Sequence, residues 1–430
     1  MRSDLRLAVN LALALFGVGM VLGWIGLGPT PGAEAWRFLS YPARSLSVGP
    51  YAALLATVFF CAVSDRRAAV TVGVAGLAGA AVHLGLYGVP RLEGLAGMER
   101  IYHVLTVALW LGAASVVVLG WLALRGDADA RRTARAALAG CLFIALWSAF
   151  ATTYLQATIA LHPTTFDAML YRFEATLGFQ AAPLAARAVA GAPAVGEVLD
   201  ALYDYQTFGY AALYGLTLRR RAEPAVNLLF VWALGATCAF AAYHVLPAAG
   251  PRHLLGARFP DDLPPLAAVP DARTAVPDAR TAVQPWPRDA IPALHVGWAI
   301  VFWAYARATR WRRIAPACLV ALALTVVAAL ARGEHYLIDL VVTAPFVAAV
   351  LTASLRRVSW RGPRKRRAVL AGFGVWIAWI LALRFGLRVF EAVPGLTWLA
   401  IAATLYLCVA LYRTFFRLAG GVTHEPAPPG

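Results

Sequence analysis

Pro292-Ala293-Leu294-His295 and, further along the chain, Arg332-Gly333-Glu334-His335-Tyr336-Leu337-Ile338-Asp339 bracket a nearly unbroken apolar run. Its main interruption is the basic cluster Arg307, Arg310, Arg312 and Arg313. The pattern predicts one helix that crosses a membrane, a turn at the arginines, and a second helix that returns. His295 begins the first helix and His335 lies just past the end of the second, so both sit at one membrane face. Asp339 follows His335 at helical i,i+4 spacing, which puts the two side chains on one face. Two imidazoles and a carboxylate at one depth can carry phosphoryl-transfer chemistry.

Composition places this hairpin in a membrane protein. The chain has 430 residues, is 61% hydrophobic and only 14% charged, and has a mean hydropathy of +0.67. A soluble domain cannot hide that much apolar surface, so the expected fold is an all-α, multi-pass helical bundle. Hydropathy predicts about twelve spans, near 6–27, 49–64, 68–89, 102–124, 136–159, 197–217, 225–246, 291–306, 314–331, 336–355, 368–387 and 395–412. The expected regions are a four-span N-terminal part (1–135), a six-span catalytic core (136–355), and a two-span C-terminal part ending in a disordered tail (356–430).

The net charge of +16 belongs to topology. With the N-terminus in the cytoplasm, most of the 38 basic residues fall on the cytoplasmic side, in clusters such as Arg219–Arg221, Arg310–Arg313 and Arg364–Arg367. The opposite face is slightly acidic. This asymmetry fits anionic inner-leaflet lipid, and no nucleic-acid motif accompanies it. Both termini are then cytoplasmic, and His295 and His335 face the outside of a plasma membrane. Arg2 and Arg6 precede an apolar run too long for a signal-peptide core, although Ala33-Glu34-Ala35 resembles a cleavage site; a retained first helix is expected. Cys61, Cys141, Cys238, Cys318 and Cys408 are scattered through apolar runs and read as small core residues.

Two outer loops stand out. Residues 161–196 contain an amphipathic stretch expected to lie along the membrane surface. Residues 247–290 are rich in Pro, Asp and Arg and carry a seven-residue tandem repeat at 269–275 and 276–282, expected to be a flexible loop.

Ionisable groups at membrane depth are costly and point to function. His335 and Asp339 form the most informative pair: a carboxylate that accepts one imidazole N–H leaves the other nitrogen free as nucleophile. His295 is placed to protonate the departing oxygen. Arg252 and Arg332 are candidates to hold non-bridging phosphate oxygens. Asp200 and Asp204 lie at helical spacing and read equally well as a polar face or a structural pair. The triad requires no metal and no cofactor; a zinc site at His295 and His335 is the competing assignment, without a clear third ligand.

Pro292-Ala293-Leu294-His295 followed by His335-Tyr336-Leu337-Ile338-Asp339 resembles two signatures of the type 2 phosphatidic acid phosphatase superfamily. The nearer likeness is to the inositol phosphorylceramide synthase branch. Pro247-Ala248-Ala249-Gly250-Pro251-Arg252 and the segment with Asp167 and Gly178 are similar to stretches of that branch as well. The resemblance spans roughly 136–355. It implies a six-helix core and a phosphohistidine mechanism, with His335 as nucleophile, Asp339 as its partner and His295 as proton donor. The chain departs from the superfamily in four places: its Lys-to-Arg-Pro signature is absent, Ala293 stands where Ser is usual, Leu294 stands where the phosphatase form has Gly and is synthase-like, and Ala329 stands where an Arg precedes the nucleophile.

These readings lead to a metal-independent membrane phosphotransferase acting on a lipid phosphoester or phosphodiester. The acceptor is a small alcohol or polyol, or water if the enzyme is a phosphatase. A transporter or scaffold is the rival from another class; the halves show no internal repeat to favour it. The topology is directly testable in a chain freed of its five native cysteines. Cysteines introduced at 255–285 should react with an impermeant thiol reagent in intact cells, and cysteines at 360–366 should not. Equal labelling of both sites would contradict the charge argument.

Overall fold

The computed structural model describes residues 44–87, 98–220, 225–269, 274–275 and 287–420. The expected span at 6–27, the Ala33-Glu34-Ala35 segment, most of the tandem repeat and the C-terminal tail lie outside the described residues.

In chain order the first helices are α1 (Arg44–Ala62), α2 (Arg66–Tyr87), α3 (Met98–Arg125), α4 (Ala128–Leu161), α5 (Asp167–Ala175), α6 (Ala181–Ala190), α7 (Pro193–Asp204) and α8 (Gln206–Arg219). They are followed by α9 (Leu228–Val245), α10 (Pro251–Leu255), α11 (Leu294–Ala308), α12 (Ile314–Ala331), α13 (Leu337–Ala353), α14 (Pro363–Phe385), α15 (Leu387–Ala392) and α16 (Pro394–Gly420). Among the described residues the only paired strands are β1 (Thr164–Thr165) and β2 (Thr274–Ala275), antiparallel, with Thr164 opposite Ala275.

Six helices among the described residues are long and apolar enough to cross a membrane: Arg66–Leu86, His103–Arg125, Leu228–Val245, Ile314–Ala331, Pro363–Phe385 and Gly395–Gly420. One of the twelve expected spans lies outside the described residues, and for three of the others the reason they do not qualify is identifiable. The expected span 197–217 is divided at Tyr205 into α7 and α8, of 12 and 14 residues. Helices α11 and α13 have 15 and 17 residues. At about 1.5 Å per residue, each falls short of a hydrocarbon core about 30 Å thick.

The chain forms two compact units, Met1–Tyr154 with Thr207–Glu223 and Leu155–Gln206 with Pro224–Gly430. In the first, α1 and α2 both pack on α3. A Cβ at Gly112 would lie 2.4 Å from the Ala52 carbonyl oxygen, so α1 and α3 meet backbone to backbone.

The second unit is built around α13, which is buried along nearly its whole length. A helix apolar on every side must be enclosed, and α9, α11, α14 and α16 pack against it. The hairpin expected from the sequence is present: α11 and α12 pack together, and the turn between them has Arg310 at φ 57°. His295 and His335 lie at the end opposite this turn. The stretch expected along the membrane surface, which runs through Phe179, holds one helix, α5. This helix is largely buried, with Asp167, Leu170, Phe173 and Glu174 turned inward against α10, α14 and α15.

Candidate active site

The site is assembled in the second unit from three short segments. The first is the turn Pro247–Arg252. Asp167, at the start of α5, accepts the backbone N–H groups of Ala249 (3.0 Å) and Gly250 (2.8 Å), and its own carbonyl accepts the Tyr336 hydroxyl (3.0 Å). Arg252 N–H donates to the Gly333 carbonyl (3.0 Å). Gly250 (φ 103°) and Gly333 (φ 69°) are both left-handed, and a Cβ at Gly250 would meet the Glu334 oxygen at 2.4 Å. Only glycine allows the two chains this close.

The second segment, Arg288–Ala293, is clamped at three residues. Arg288 N–H donates to Thr158 Oγ1 (3.1 Å) and its Nε to the His162 carbonyl (3.1 Å). Ala290 N–H donates to the Ala248 carbonyl (3.0 Å), and Ala293 N–H to Thr343 Oγ1 (2.8 Å). Arg288 and Ala290 are buried, whereas Asp289 between them lines a cavity.

The third segment carries His335, which is 4% exposed. Its Nδ1 is 2.9 Å from the Ala290 carbonyl oxygen and 3.6 Å from Asp339 Oδ2. A carbonyl only accepts, so Nδ1 carries the hydrogen and Nε2 is the basic nitrogen of the neutral ring. Nε2 lies 3.0 Å from the Tyr203 hydroxyl. The sequence pattern assigned orientation of the ring to Asp339; here the shorter contact is the backbone carbonyl. Asp339 Oδ2 instead accepts the Tyr336 N–H at 2.7 Å, closing the first turn of α13. Burial opposes charge on the His335 ring, but the Asp339, Asp289 and Glu334 carboxylates outweigh it and raise its pKa above the ordinary histidine value.

A cavity of about 250 Å³ opens beside this ring, with His295, His335, Tyr203 and Arg332 in its wall. His295 stacks on Tyr203, ring centres 3.8 Å apart and planes inclined by 22°. The Arg332 guanidinium lies over the Tyr203 ring, 4.9 Å from its centre, and is paired with Asp200 (2.9 Å) and Asp204 (3.2 Å). Arg252 is exposed and does not line this cavity.

Four further lining residues were not singled out from sequence: Tyr203, Asp289, Glu334 and His253. Burial pushes the Asp289 carboxyl up to about 6, against the pull of His335. Burial would raise Glu334 as well, but His253, His335 and Arg332 hold it below the usual carboxylate value. Asp200 and Asp204 were visible as an i,i+4 pair, and Tyr203 sits beside them on α7; their partner Arg332 was not inferable. Among the described residues no group of three or more His, Cys, Asp or Glu side chains is arranged to hold a metal ion.

Residues 168–353 match the family model of the PAP2 superfamily. The matched stretch begins in α5, ends with α13, and contains every residue that lines the cavity. No curated protein and no solved structure matches the chain.

Glu174 supports the matched stretch from beneath. It is fully buried, and its Oε1 accepts the Leu337 N–H at 2.7 Å, a second donor satisfied at the start of α13. Its Oε2 has no hydrogen-bond partner. Burial, reinforced by the Asp339 charge, pushes this carboxyl up to about 8. A carboxyl raised on folding contributes stability that is complete below its ordinary pKa and is lost as pH rises through the folded value. The thermal unfolding midpoint in detergent should therefore fall as pH rises toward about 8. Glu174→Gln, neutral at every pH, should fall less steeply over that window. Parallel curves for the two proteins would show that Glu174 is not the titrating group.

Proposed function

We propose that this protein is a membrane phosphotransferase that acts on lipid phosphoesters through a phosphohistidine on His335, with an alcohol or water as final acceptor. The observation that carries the proposal is the division of labour on one ring. Nδ1 of His335 is tied to the Ala290 carbonyl, and Nε2 is left basic at the cavity shared with His295. The match of residues 168–353 to the PAP2 superfamily supports the same chemistry.

In the first half-reaction Nε2 attacks phosphorus, the P–N bond forms, and the bond to the leaving oxygen breaks. His295 donates a proton to that oxygen. Asp339 stabilises the charge that the His335 ring gains. In the second half-reaction an acceptor hydroxyl attacks phosphorus, gives its proton to His295, and returns the P–N electron pair to Nε2. Arg332 is the guanidinium at the cavity and is proposed to hold non-bridging oxygens, with Arg252 on the neighbouring turn as the second candidate. Transfer to a polyol, as in the inositol phosphorylceramide synthase branch, rests on the Leu294-His295 signature. The charge asymmetry supports placing the site at the outer face of a plasma membrane with cytoplasmic termini.

The raised pKa of His335 sets the acid limb of activity, because only the neutral ring attacks. His335→Ala should abolish both turnover and acid-quench trapping of labelled phosphate. His295→Ala should slow release of an unactivated alkoxide by about 10² to 10⁴-fold, and should slow an activated aryl phosphate far less, since that group departs without a proton. Trapping that survives His335→Ala but not His295→Ala would reverse the two roles. Turnover unaffected by either change would reject the phosphohistidine.

A further inference from the structure

The nucleophilic nitrogen is covered in this structure, and the covering side chain is tied to the cation that would receive phosphate. In-line attack needs phosphorus about 3–3.5 Å from Nε2. The Tyr203 hydroxyl already lies 3.0 Å from Nε2. Tyr203 is held by the His295 stack and by the Arg332 guanidinium over its ring. Arg332 in turn is held by Asp200 and Asp204, which flank Tyr203 on the same helix, α7.

We infer that Asp200 and Asp204 compete with the substrate phosphate for Arg332, and that exchange of those carboxylates for phosphate oxygens frees Tyr203 from Nε2. The inference rests on the function proposed above and adds the residues that set anion affinity and guard the nucleophile. The exchange is of like for like: a guanidinium fork accepts carboxylate or phosphate in the same geometry. Both carboxylates are more than half exposed, at 56% and 53% of the side chain, so each pair is weak enough to be displaced. The carboxylates lost from Arg332 return to solvent at little cost. Once they let go, Tyr203 loses the ion pairs that hold Arg332 against its ring, close to the end of α7, which breaks two residues later at Tyr205. Binding an anion is thereby coupled to uncovering the nucleophile, so water has no open route to a bare Nε2 before the phosphate arrives.

The probe is orthovanadate, which copies the five-coordinate phosphoryl geometry, applied to the full-length protein in detergent. Asp200→Asn with Asp204→Asn should tighten its inhibition constant by about three- to ten-fold, the scale of two partly exposed ion pairs. In an Arg332→Gln background the same pair of changes should give no gain. Tyr203→Phe, which keeps the stack but removes the hydroxyl from Nε2, should speed labelling of His335 by a radiolabelled aryl phosphate. Weaker vanadate binding in the double variant would show that the aspartates orient Arg332 for phosphate rather than compete with it, and would overturn the inference. So would a gain that persists without Arg332, or slower labelling in Tyr203→Phe. If wild-type protein neither binds vanadate nor traps phosphate on His335, the proposed function fails and the inference falls with it. If it does both while the variants behave as wild type, the inference alone fails.

Discussion

The hydrogen bond from His335 Nδ1 to the Ala290 carbonyl, 2.9 Å long, is the contact on which the site depends. It decides which nitrogen is basic, and it does so without using a group that can itself ionise. The carbonyl can serve because its segment is tied down on both sides. Thr158, the His162 carbonyl, the Ala248 carbonyl and Thr343 all take a bond from the segment that carries it. The ring is thus oriented by backbone, and Asp339 is left to supply charge and to close the first turn of α13.

That arrangement places three buried carboxyls around one helix start. Asp167 holds the turn before Pro251, Glu174 caps Leu337, and Asp339 caps Tyr336. Burying carboxyls is expensive unless backbone donors meet them or they hold a proton. Here each accepts at least one backbone N–H, and burial raises both Asp167 and Glu174. The donors are groups that helix starts and glycine turns leave unsatisfied anyway. The cost of the acids and the cost of the orphan amides therefore offset each other, and the result is a rigid base under His335.

The hairpin was legible because its signal is local. The apolar run, the arginine turn and the two histidines specify α11, α12 and their common end, and the α12 limits agree with hydropathy. Spans of marginal length were not legible in the same way. Hydropathy joins α7 to α8 because it averages over Asp204, Tyr205 and Gln206, where the helix breaks. Asp289 and the Ala290 carbonyl could not be found from the sequence, since a backbone acceptor has no residue signature and a single Asp in a Pro- and Arg-rich loop looks like any other. Asp200 and Asp204 were visible as a pair, but their meaning lies in Arg332, distant in sequence and brought to them by packing of α12 on α7. Arg332 stands out in the sequence as a charge at membrane depth; that Asp200 and Asp204 hold it has no local mark.

The central claim is that Nε2 of His335, with Nδ1 committed to the Ala290 carbonyl, is the phosphoryl acceptor. The most direct test is ³¹P–¹⁵N correlation NMR on protein labelled with ¹⁵N-histidine and trapped as the phosphoenzyme, with the modified residue assigned by mass spectrometry. The account predicts phosphorus bonded to Nε2 of residue 335 and a proton retained on Nδ1. Phosphorus on Nδ1, or on His295, would contradict it.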